Sequence, residues 1–315
     1  CLGFRTGDHG GYMNTKPLNR RQMLLGAAMM GVGAVAAPLT SPAFAQNTKP
    51  DIDVDVLNFA LNLEYLEAEF YLAAVGRKPS YEVSGVGGTT NSTGATPGSV
   101  TGGQRVKFSN TMAGRAAREY AEEIATDEEN HVKFLRAALG DKAVARPAID
   151  IGPAFAVAAS AASKDAIKGF SPYANELFFL HGAFIFEDVG VTAYKGAAPL
   201  LTNPAFLEAA AGILAVEAYH AGIIRTLLYQ NRNTVAAAGL KVEQIVAAIA
   251  ALRDAVDGPT AIDQGITMGG KANLVPTDAN SIAFSRTTAQ VLNIVYLGNA
   301  GKGGFFPNGL NGKIK

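Results

Sequence analysis

The chain has 315 residues, and 17% of them are charged, against about 25% in an average soluble domain. Its 27 basic and 27 acidic residues balance, which excludes the basic surface of nucleic-acid-binding proteins and the high net charge of disordered chains. The only cysteine, Cys1, precedes every segment with a folded pattern, so disulfides, thiolate metal sites and cysteine nucleophiles are excluded from the protein body. This length suits two domains, or one large domain with extensions.

Residues 13–45 have the pattern of an export signal. Arg20 and Arg21 precede an apolar run over 24–37, and Ala45 ends a small-residue cleavage site. The run is shorter than the roughly 20 residues that span a bilayer, which favours a cleaved twin-arginine signal over a permanent anchor or a buried helix. We expect the protein to reach the periplasm through the twin-arginine export machinery. The leader, residues 1–45, would then be removed by cleavage after Ala45. Its removal takes away four basic residues and one acidic residue, leaving a net charge of −3.

The first predicted helix covers 51–75, where apolar residues recur at helical spacing and the chain then reaches Gly76. Residues 76–103 follow as a Gly/Ser/Thr-rich stretch that is too polar to pack as an element. We expect this stretch to be an insertion or a mobile lid.

Three more long helices are predicted before residue 232. The second covers 104–139 and ends at Gly140, and the third begins after Pro172 and continues to about Tyr194. The fourth covers 203–231, with Pro204 in its first turn. Residues 141–171 connect the second helix to the third, at a length suited to a crossover carrying one short helix.

The pattern predicts an all-α fold over 46–231, a four-helix bundle with a long crossover between helices 2 and 3. Residues 232–315 form a C-terminal helical extension with two predicted helices, 242–256 and 285–297, the second capped by Ser285. We expect Phe305 and Phe306 to dock the tail onto the bundle. A partner-binding patch is the alternative role for these two aromatic residues.

Two of the predicted helices carry the same Glu-x-x-His spacing on an apolar face. Glu128 and His131 lie on the second helix, and Glu217 and His220 lie on the fourth. A step of three residues places the two side chains about 60° apart around a helix and about 4.5 Å apart along it, so both can reach one ion. A single such pair also occurs on surface helices, and Glu119, Glu122, Glu123 and Glu129 on the second helix are predicted to form a solvated face.

The other two bundle helices each place one glutamate on an apolar face, Glu64 on the first and Glu187 on the third. One Glu from each of two helices with a Glu-x-x-His pair from each of the others is the ligand set of dinuclear carboxylate bundles. Four buried carboxylates carry a charge of −4, which two divalent ions would neutralise. Oxygen and nitrogen ligands without a thiolate suit Fe or Mn.

Several nearby residues have more than one possible role. Glu67 lies one turn beyond Glu64 and is a candidate ligand, a support for the ligands or a surface residue. Tyr71 and Tyr194 are too far along their own helices to reach the local glutamate, so each either contacts a ligand on a neighbouring helix or packs in the core. His181 lies beside the Glu187 face, which favours packing. The sequence assigns no catalytic residue.

These motifs resemble those of the ferritin-like superfamily, and more closely the bacterial desiccation-related ferritin-like proteins. The resemblance rests on LNFALNLEYLEAEFY, ATDEENHVKFL, AVEAYHAGI, DANSIAFSRTTAQVLNIVY and GGFFPNGLNG. It implies a carboxylate-bridged dinuclear site formed by Glu64, Glu128, His131, Glu187, Glu217 and His220. The insertion and the long C-terminal extension depart from the compact cage-forming ferritins, which argues against a 24-subunit iron store.

The resemblance leaves the activity open, because this fold hosts ferroxidases, oxygenases, peroxidases and manganese catalases. We expect an exported dinuclear metal protein that reacts with oxygen or peroxide in stress or desiccation protection. The alternatives are a manganese catalase and a non-enzymatic protectant with a structural metal site. The expected partners are metal ions and a small oxidant; we expect no nucleic acid and no membrane span in the mature chain, and oligomers are compatible with the sequence.

Overall fold

The computed structural model describes residues 51–81, 96–259 and 261–315. The predicted export signal and its cleavage site lie outside the described residues. The described part of the chain contains seven α-helices: α1 Asp53–Val75, α2 Met112–Leu139, α3 Pro153–Ala162, α4 Glu176–Ala197, α5 Pro204–Gln230, α6 Val242–Asp257 and α7 Thr288–Val295. The prediction of an all-α fold is confirmed.

Short strands and 3₁₀ turns join these helices. The parallel pair β1 Val100–Thr101 and β2 Ile149–Asp150 links the segment before α2 to the crossover after it. The strands β3 Val235–Ala237 and β4 Leu240–Lys241 form one antiparallel hairpin, and β5 Thr267–Met268 and β6 Lys271–Ala272 form another. Single 3₁₀ turns follow α2 and α4, at Gly140–Lys142 and Ala198–Leu200.

Local sequence determines where the four bundle helices begin and end. The side chains of Thr111, Asn175 and Asn203 accept hydrogen bonds from backbone N–H groups in the first turns of α2, α4 and α5. These caps satisfy donors that a helix start leaves without a partner. At the end of α1 the chain turns through Gly76 with φ of 76°, a left-handed conformation that glycine adopts without strain.

The four long helices form the bundle, with α1 packed along α2 and α4 packed along α5. The crossover between the pairs carries β2 and the short helix α3. An aromatic cluster fills the core beside the crossover, and Phe70 contacts the rings of Phe155, Phe179 and Phe186. This arrangement is the bundle with one long crossover that the sequence predicts.

The C-terminal extension packs on the same core. α6 lies against α3 and α7, and the rings of Phe305 and Phe306 are fully buried. The ring centroid of Phe305 is 5.1 Å from that of Phe155 and 4.9 Å from that of Phe186. The predicted docking of the tail is therefore confirmed, and its partner is the bundle itself.

Two predicted helix starts are wrong. α2 begins at Met112 rather than at residue 104, because the Thr111 hydroxyl caps it and the preceding segment is held in extended form by Val106 N–H, which donates to Ala74 O. α7 begins after Thr287 rather than after Ser285, because Thr287 and Gln290 form a reciprocal capping box.

The two described ends of 76–103 pack against the rest of the chain, contrary to the expectation that the stretch is too polar to pack, while its description as an insertion stays a prediction. Tyr81 is buried, and Ser80 donates both its N–H and its hydroxyl to the Glu129 carboxylate. Glu129 is consequently buried rather than part of a solvated face. At the other end, β1 pairs with β2. Residues 82–95 lie outside the described part of the chain.

Candidate metal centre

The six predicted ligands come from the four bundle helices and meet in the core. Glu64 projects from α1, Glu187 from α4, and the two Glu-x-x-His pairs from α2 and α5. All six are buried, and Glu128, Glu187 and Glu217 are fully so. The helical spacing read from the sequence therefore brings these side chains to one place. Their role as ligands remains a prediction.

One group surrounds the imidazole of His131. Its Nδ1 lies 3.2 Å from Glu64 Oε2, 3.5 Å from Glu128 Oε2 and 3.6 Å from Glu217 Oε1. The four residues each offer one donor atom, and these atoms all lie within 4.8 Å of one another. A single cation placed among them would have three carboxylate oxygens and one imidazole nitrogen in reach.

A second group surrounds His220. Its Nδ1 lies 3.0 Å from Glu128 Oε1 and 3.5 Å from Glu187 Oε2. Glu128 thus faces His131 with one oxygen and His220 with the other. Glu128 therefore belongs to both groups of candidate ligands.

Glu67 belongs to the same cluster. It is buried and forms a third group of candidate ligands with Glu128, Glu187 and Glu217. The surface role considered for Glu67 is therefore wrong. The centre holds five carboxylates rather than four, which increases its excess of negative charge.

Many polar atoms of the centre have no hydrogen-bond partner among the described residues. Buried polar groups nearly always have partners, because leaving one without a partner costs about 1–3 kcal/mol. The atoms without a partner are Glu128 Oε1 and Oε2, Glu187 Oε2, Glu217 Oε1 and Oε2, and His220 Nδ1. They converge on one small volume, and the residues present therefore fit bound metal ions.

The pKa values of the carboxyl groups reflect this crowding. Burial raises the pKa of Glu64 to about 7, against the opposing charge of His131. Burial and the charge of neighbouring carboxylates raise the pKa of Glu67 and of Glu217 well above the ordinary range. Glu128 is the exception: burial opposes its ionisation, but the adjacent imidazoles of His131 and His220 lower its pKa overall.

The two imidazoles respond in the opposite direction. Burial disfavours the charged forms of the imidazoles. For His131, attraction to the carboxylates, first of all Glu64, is stronger than this effect and raises its pKa to about 12. Glu187 and Asp127 raise the pKa of His220 in the same way. Protons on the imidazoles are the positive charge that this chain can itself supply to the centre, and metal ions would replace them.

Two tyrosines reach across the bundle to hold two of the glutamates. The hydroxyl of Tyr71, on α1, donates to Glu187 on α4, and the hydroxyl of Tyr194, on α4, donates to Glu64 on α1. Of the two roles considered from the sequence, the structure shows the contact with a carboxylate on a neighbouring helix. Each bond occupies one carboxylate oxygen and leaves the other facing the centre.

Two further residues of the centre were not found by the sequence analysis. Asp127 Oδ2 lies 3.1 Å from His220 Nε2, which fixes the ring so that Nδ1 faces the carboxylates. Gly190 on α4 lies against Glu217, and a Cβ at this position would clash with Glu217 Oε2. Gly190 follows Glu187 by three residues, the spacing that separates Glu and His in the other two helices, and this spacing was the available signal.

His181 lies apart from the centre. Its Nδ1 is 2.7 Å from Leu177 O, and burial lowers its pKa to about 4, so the ring is neutral at pH 7. It lines an apolar cavity between α3, α4 and α6. Packing is the role that the sequence favours for His181, and its surroundings agree with that role.

Comparison with known proteins now identifies the fold. A model of the ferritin-like domain family matches residues 52–230, which covers all four helices of the bundle. The chain belongs to the ferritin-like family. No solved structure matches it significantly.

Two relatives are similar to this protein over most of the chain. The desiccation-related protein PCC13-62 of Craterostigma plantagineum is 32% identical over 77% of this chain and 77% of its own length. The ferritin-like catalase Nec2 of Nesocodon mauritianus is 28% identical over 93% of this chain and 94% of its own length. The second alignment extends beyond the bundle, so the C-terminal extension is shared with that relative.

Proposed function

We propose that this ferritin-like protein binds two divalent Mn or Fe ions and removes hydrogen peroxide. The observation that carries the proposal is the buried cluster of five glutamates and two histidines, in which six donor atoms have no hydrogen-bond partner among the described residues. Hard oxygen ligands with imidazole, and no thiolate, match these two metals. Protection during stress or desiccation is the corresponding physiological role, and the name of the plant desiccation-related relative supports it.

Charge balance supports two ions rather than one. Five ionised carboxylates carry −5, and two divalent cations reduce this to −1 with both imidazoles neutral. One bound proton neutralises the remaining negative charge. We place it on Glu67, because burial raises the pKa of this carboxyl group and neither imidazole faces it directly. A single cation would leave three charges buried, at a cost of several kcal/mol each.

The residues around the centre fix its geometry before an ion binds. Tyr71 and Tyr194 hold Glu187 and Glu64 in place, and Asp127 orients His220. Gly190 leaves the space that the Glu217 carboxylate needs. When bound, the metals would supply a redox couple that takes up and returns two electrons, so that two molecules of peroxide yield two of water and one of oxygen.

The name of one relative favours peroxide over dioxygen as the substrate. The relative that is similar over nearly the whole chain carries the name ferritin-like catalase. Oxidation of ferrous ions by dioxygen uses the same types of ligand and is the second candidate, supported by the family alone. A purely structural metal site remains the non-enzymatic alternative.

We further propose that the protein acts in the periplasm. The support is the twin-arginine pattern of residues 13–45, since that route exports folded proteins that already hold their metals. Replacing Arg20 and Arg21 by Lys should retain the precursor in the cytoplasm, as measured by immunoblotting of cell fractions. Unchanged periplasmic delivery of that variant would reject this part of the proposal.

The activity is tested with protein reconstituted separately with Mn and with Fe. We expect peroxide to disappear with release of half an equivalent of oxygen, measured with an oxygen electrode. His131→Ala and His220→Ala should lose this activity, and the double variant Glu119→Gln, Glu123→Gln on the exposed face of α2 should keep it. Oxygen uptake with ferrous ion, without loss of peroxide, would indicate a ferroxidase instead. A fully loaded protein with neither reaction would leave only the structural role.

A further inference from the structure

The outer face of α5 is apolar and has no partner among the described residues. The structure describes α5 completely. Among the charged residues and the histidine of this helix, Glu208 is the only exposed one, and Glu217, His220 and Arg225 are buried. Tyr219 projects from this face with 74% of its surface exposed. Small residues surround it, namely Ala211, Gly212, Ala215 and Ala218.

The difference from α4 shows that this face is unusual within the bundle. Both helices contain an 18-residue stretch that is apolar enough to suggest a membrane span, but 78% of the stretch in α4 is buried against 33% in α5. α4 is thus a core helix with its apolar surface covered. α5 has the composition of a covered helix with most of its outer surface open to solvent.

A wide groove, with Tyr219 in one of its walls, lies between α5 and the first half of α2, and the first turns of α4 together with Leu274 and Val275 complete its lining. It has a volume of about 1320 Å³ and is lined largely by small or apolar side chains, among them Ala113, Ala116 and Gly222. Met112 stands at its edge with 82% of its surface exposed. The same face therefore carries a projecting aromatic ring and, next to it, a cavity large enough to accept one.

We propose that this face of α2 and α5 is the interface of a homodimer, in which Tyr219 of each copy inserts into the groove of the other. A twofold interface uses the same patch on both partners, so the patch must hold both the projection and the cavity that receives it. Tyr219 and the groove meet that requirement.

The available area agrees with a stable dimer. The helix α5, about 40 Å long, and the first half of α2, about 20 Å long, each present a strip about 10 Å wide and together offer on the order of 600 Å². Two such faces would bury about 1,200 Å² in total, the lower end of the range for specific interfaces. Exposed tyrosine and methionine are also typical of the centre of such an interface, where charged residues are rare.

A membrane surface fits this face of α2 and α5 less well than a second copy of the chain does. Helices that lie on membranes are rich in lysine and arginine on their polar side. α5 has no lysine, and its single arginine, Arg225, is fully buried among hydrogen bonds to Asp188 and three carbonyl groups. The observations therefore favour a second copy of this chain.

Analytical ultracentrifugation of the purified chain between 0.1 and 100 μM tests the proposal. We expect a dimer for the wild type, and at least a 100-fold increase in Kd for Met112→Asp and for Tyr219→Ser. Val157→Asp, at another exposed apolar position on α3, is the matched control and should leave Kd unchanged. Circular dichroism and melting temperature show whether each variant is folded.

Three results would overturn the proposal: a monomeric wild type at 100 μM, a dimer that both variants leave intact, or a monomer that binds vesicles of neutral and anionic lipid through Tyr219. Because Met112 lies far from the metal ligands along α2, the dimer can fail while metal binding persists. The interface and the proposed activity are therefore tested independently.

Discussion

Two buried clusters of charged side chains lie on either side of α4. They differ in how far the chain itself neutralises their acidic groups. Glu187 faces the candidate metal centre, and the next residue, Asp188, faces a cluster of arginines. That second cluster contains three arginines and three aspartates: Asp188, Arg225, Arg253, Asp257, Asp263 and Arg286. Its formal charge is zero.

The arginine cluster joins the bundle to the C-terminal extension with counter-ions from the chain. Arg253 shows the pattern: its guanidinium lies 3.0 Å from Asp188 and 2.7 Å from Asp263, and donates to the carbonyl of Phe184. In the metal centre, by contrast, five carboxylates face two imidazoles. The comparison shows that the chain neutralises the buried acids of one cluster with its own arginines and places no arginine or lysine among the described ligands of the other, which is the charge imbalance that the proposed metal binding would relieve.

The largest expected effect is the loss of metal binding when carboxylates are removed from the centre. The double variant Glu128→Gln, Glu217→Gln should bind neither ion, because it removes the shared carboxylate and one further ligand. Inductively coupled plasma mass spectrometry after reconstitution measures the metal content, and circular dichroism the helix content. The matched control is Glu119→Gln, Glu123→Gln, which should retain full loading.

The single variant Glu217→Gln also separates the two clusters energetically. Burial and the neighbouring carboxylates raise the pKa of Glu217, so this glutamate costs folding free energy at pH 7, and the metal-free variant should melt higher than the metal-free wild type. A lower melting temperature, or retention of both ions by the double variant, would contradict the charge imbalance that defines the centre.

The next largest effect is expected in the arginine cluster. Arg253→Met leaves Asp188 and Asp263 short of a cation, and breaking a buried pair in this way costs about 3–5 kcal/mol. The free energy of unfolding, measured in urea, should fall by that amount and should not recover when metal is added. Arg118→Met, on the exposed face of α2, is the control and should change stability by less than about 0.5 kcal/mol.

His181 provides a third case, a buried group that the fold keeps neutral. Its pKa falls from 6.5 to about 4 through burial, so the unfolded chain binds a proton that the folded chain does not. The resulting stability is present above pH 6.5 and is lost as the pH falls toward 4, by on the order of 3 kcal/mol. Urea unfolding of metal-free protein at several pH values should show this slope, and His181→Asn should flatten it. An identical slope in the two proteins would reject the assignment.

The smallest effect is expected from the tyrosines that hold the ligands. Tyr71→Phe removes the hydrogen bond to Glu187 and should weaken metal binding about 10- to 100-fold, the usual cost of losing a partner that orients a ligand. Tyr65→Phe, on the same helix, removes a hydroxyl bonded to Val144 O and Arg136 and should leave the metal affinity unchanged. Competition with a fluorescent chelator measures both affinities.

The sequence predicts the bundle and the meeting of its acidic residues because both depend on local geometry. The spacing of Glu128 and His131, repeated in Glu217 and His220, is a property of one helix turn and can be read without a structure. The crossover was predicted from the length of residues 141–171, and the docking of the tail was predicted from the aromatic pair Phe305 and Phe306. The residues of the metal centre that helical spacing identifies are therefore those on strongly apolar stripes.

The remaining features depend on contacts between distant segments. Arg225, Arg253 and Arg286 are far apart in the sequence and resemble ordinary surface residues until the extension folds onto the bundle. Glu129 looks solvated until Ser80 and Arg77 close over it. Similarly, Tyr71 finds Glu187 only across the bundle, and no spacing within one helix indicates that contact.

The central claim is that the excess of buried acid is a binding site for two divalent ions. The most direct test is the melting temperature of the metal-free protein against that of the same protein in a large excess of Mn²⁺. If the excess reaches 100 times Kd, two filled sites stabilise the folded state by about 5 kcal/mol, which should raise the melting temperature by about 10 °C or more. An unchanged melting temperature would show that the centre binds no metal.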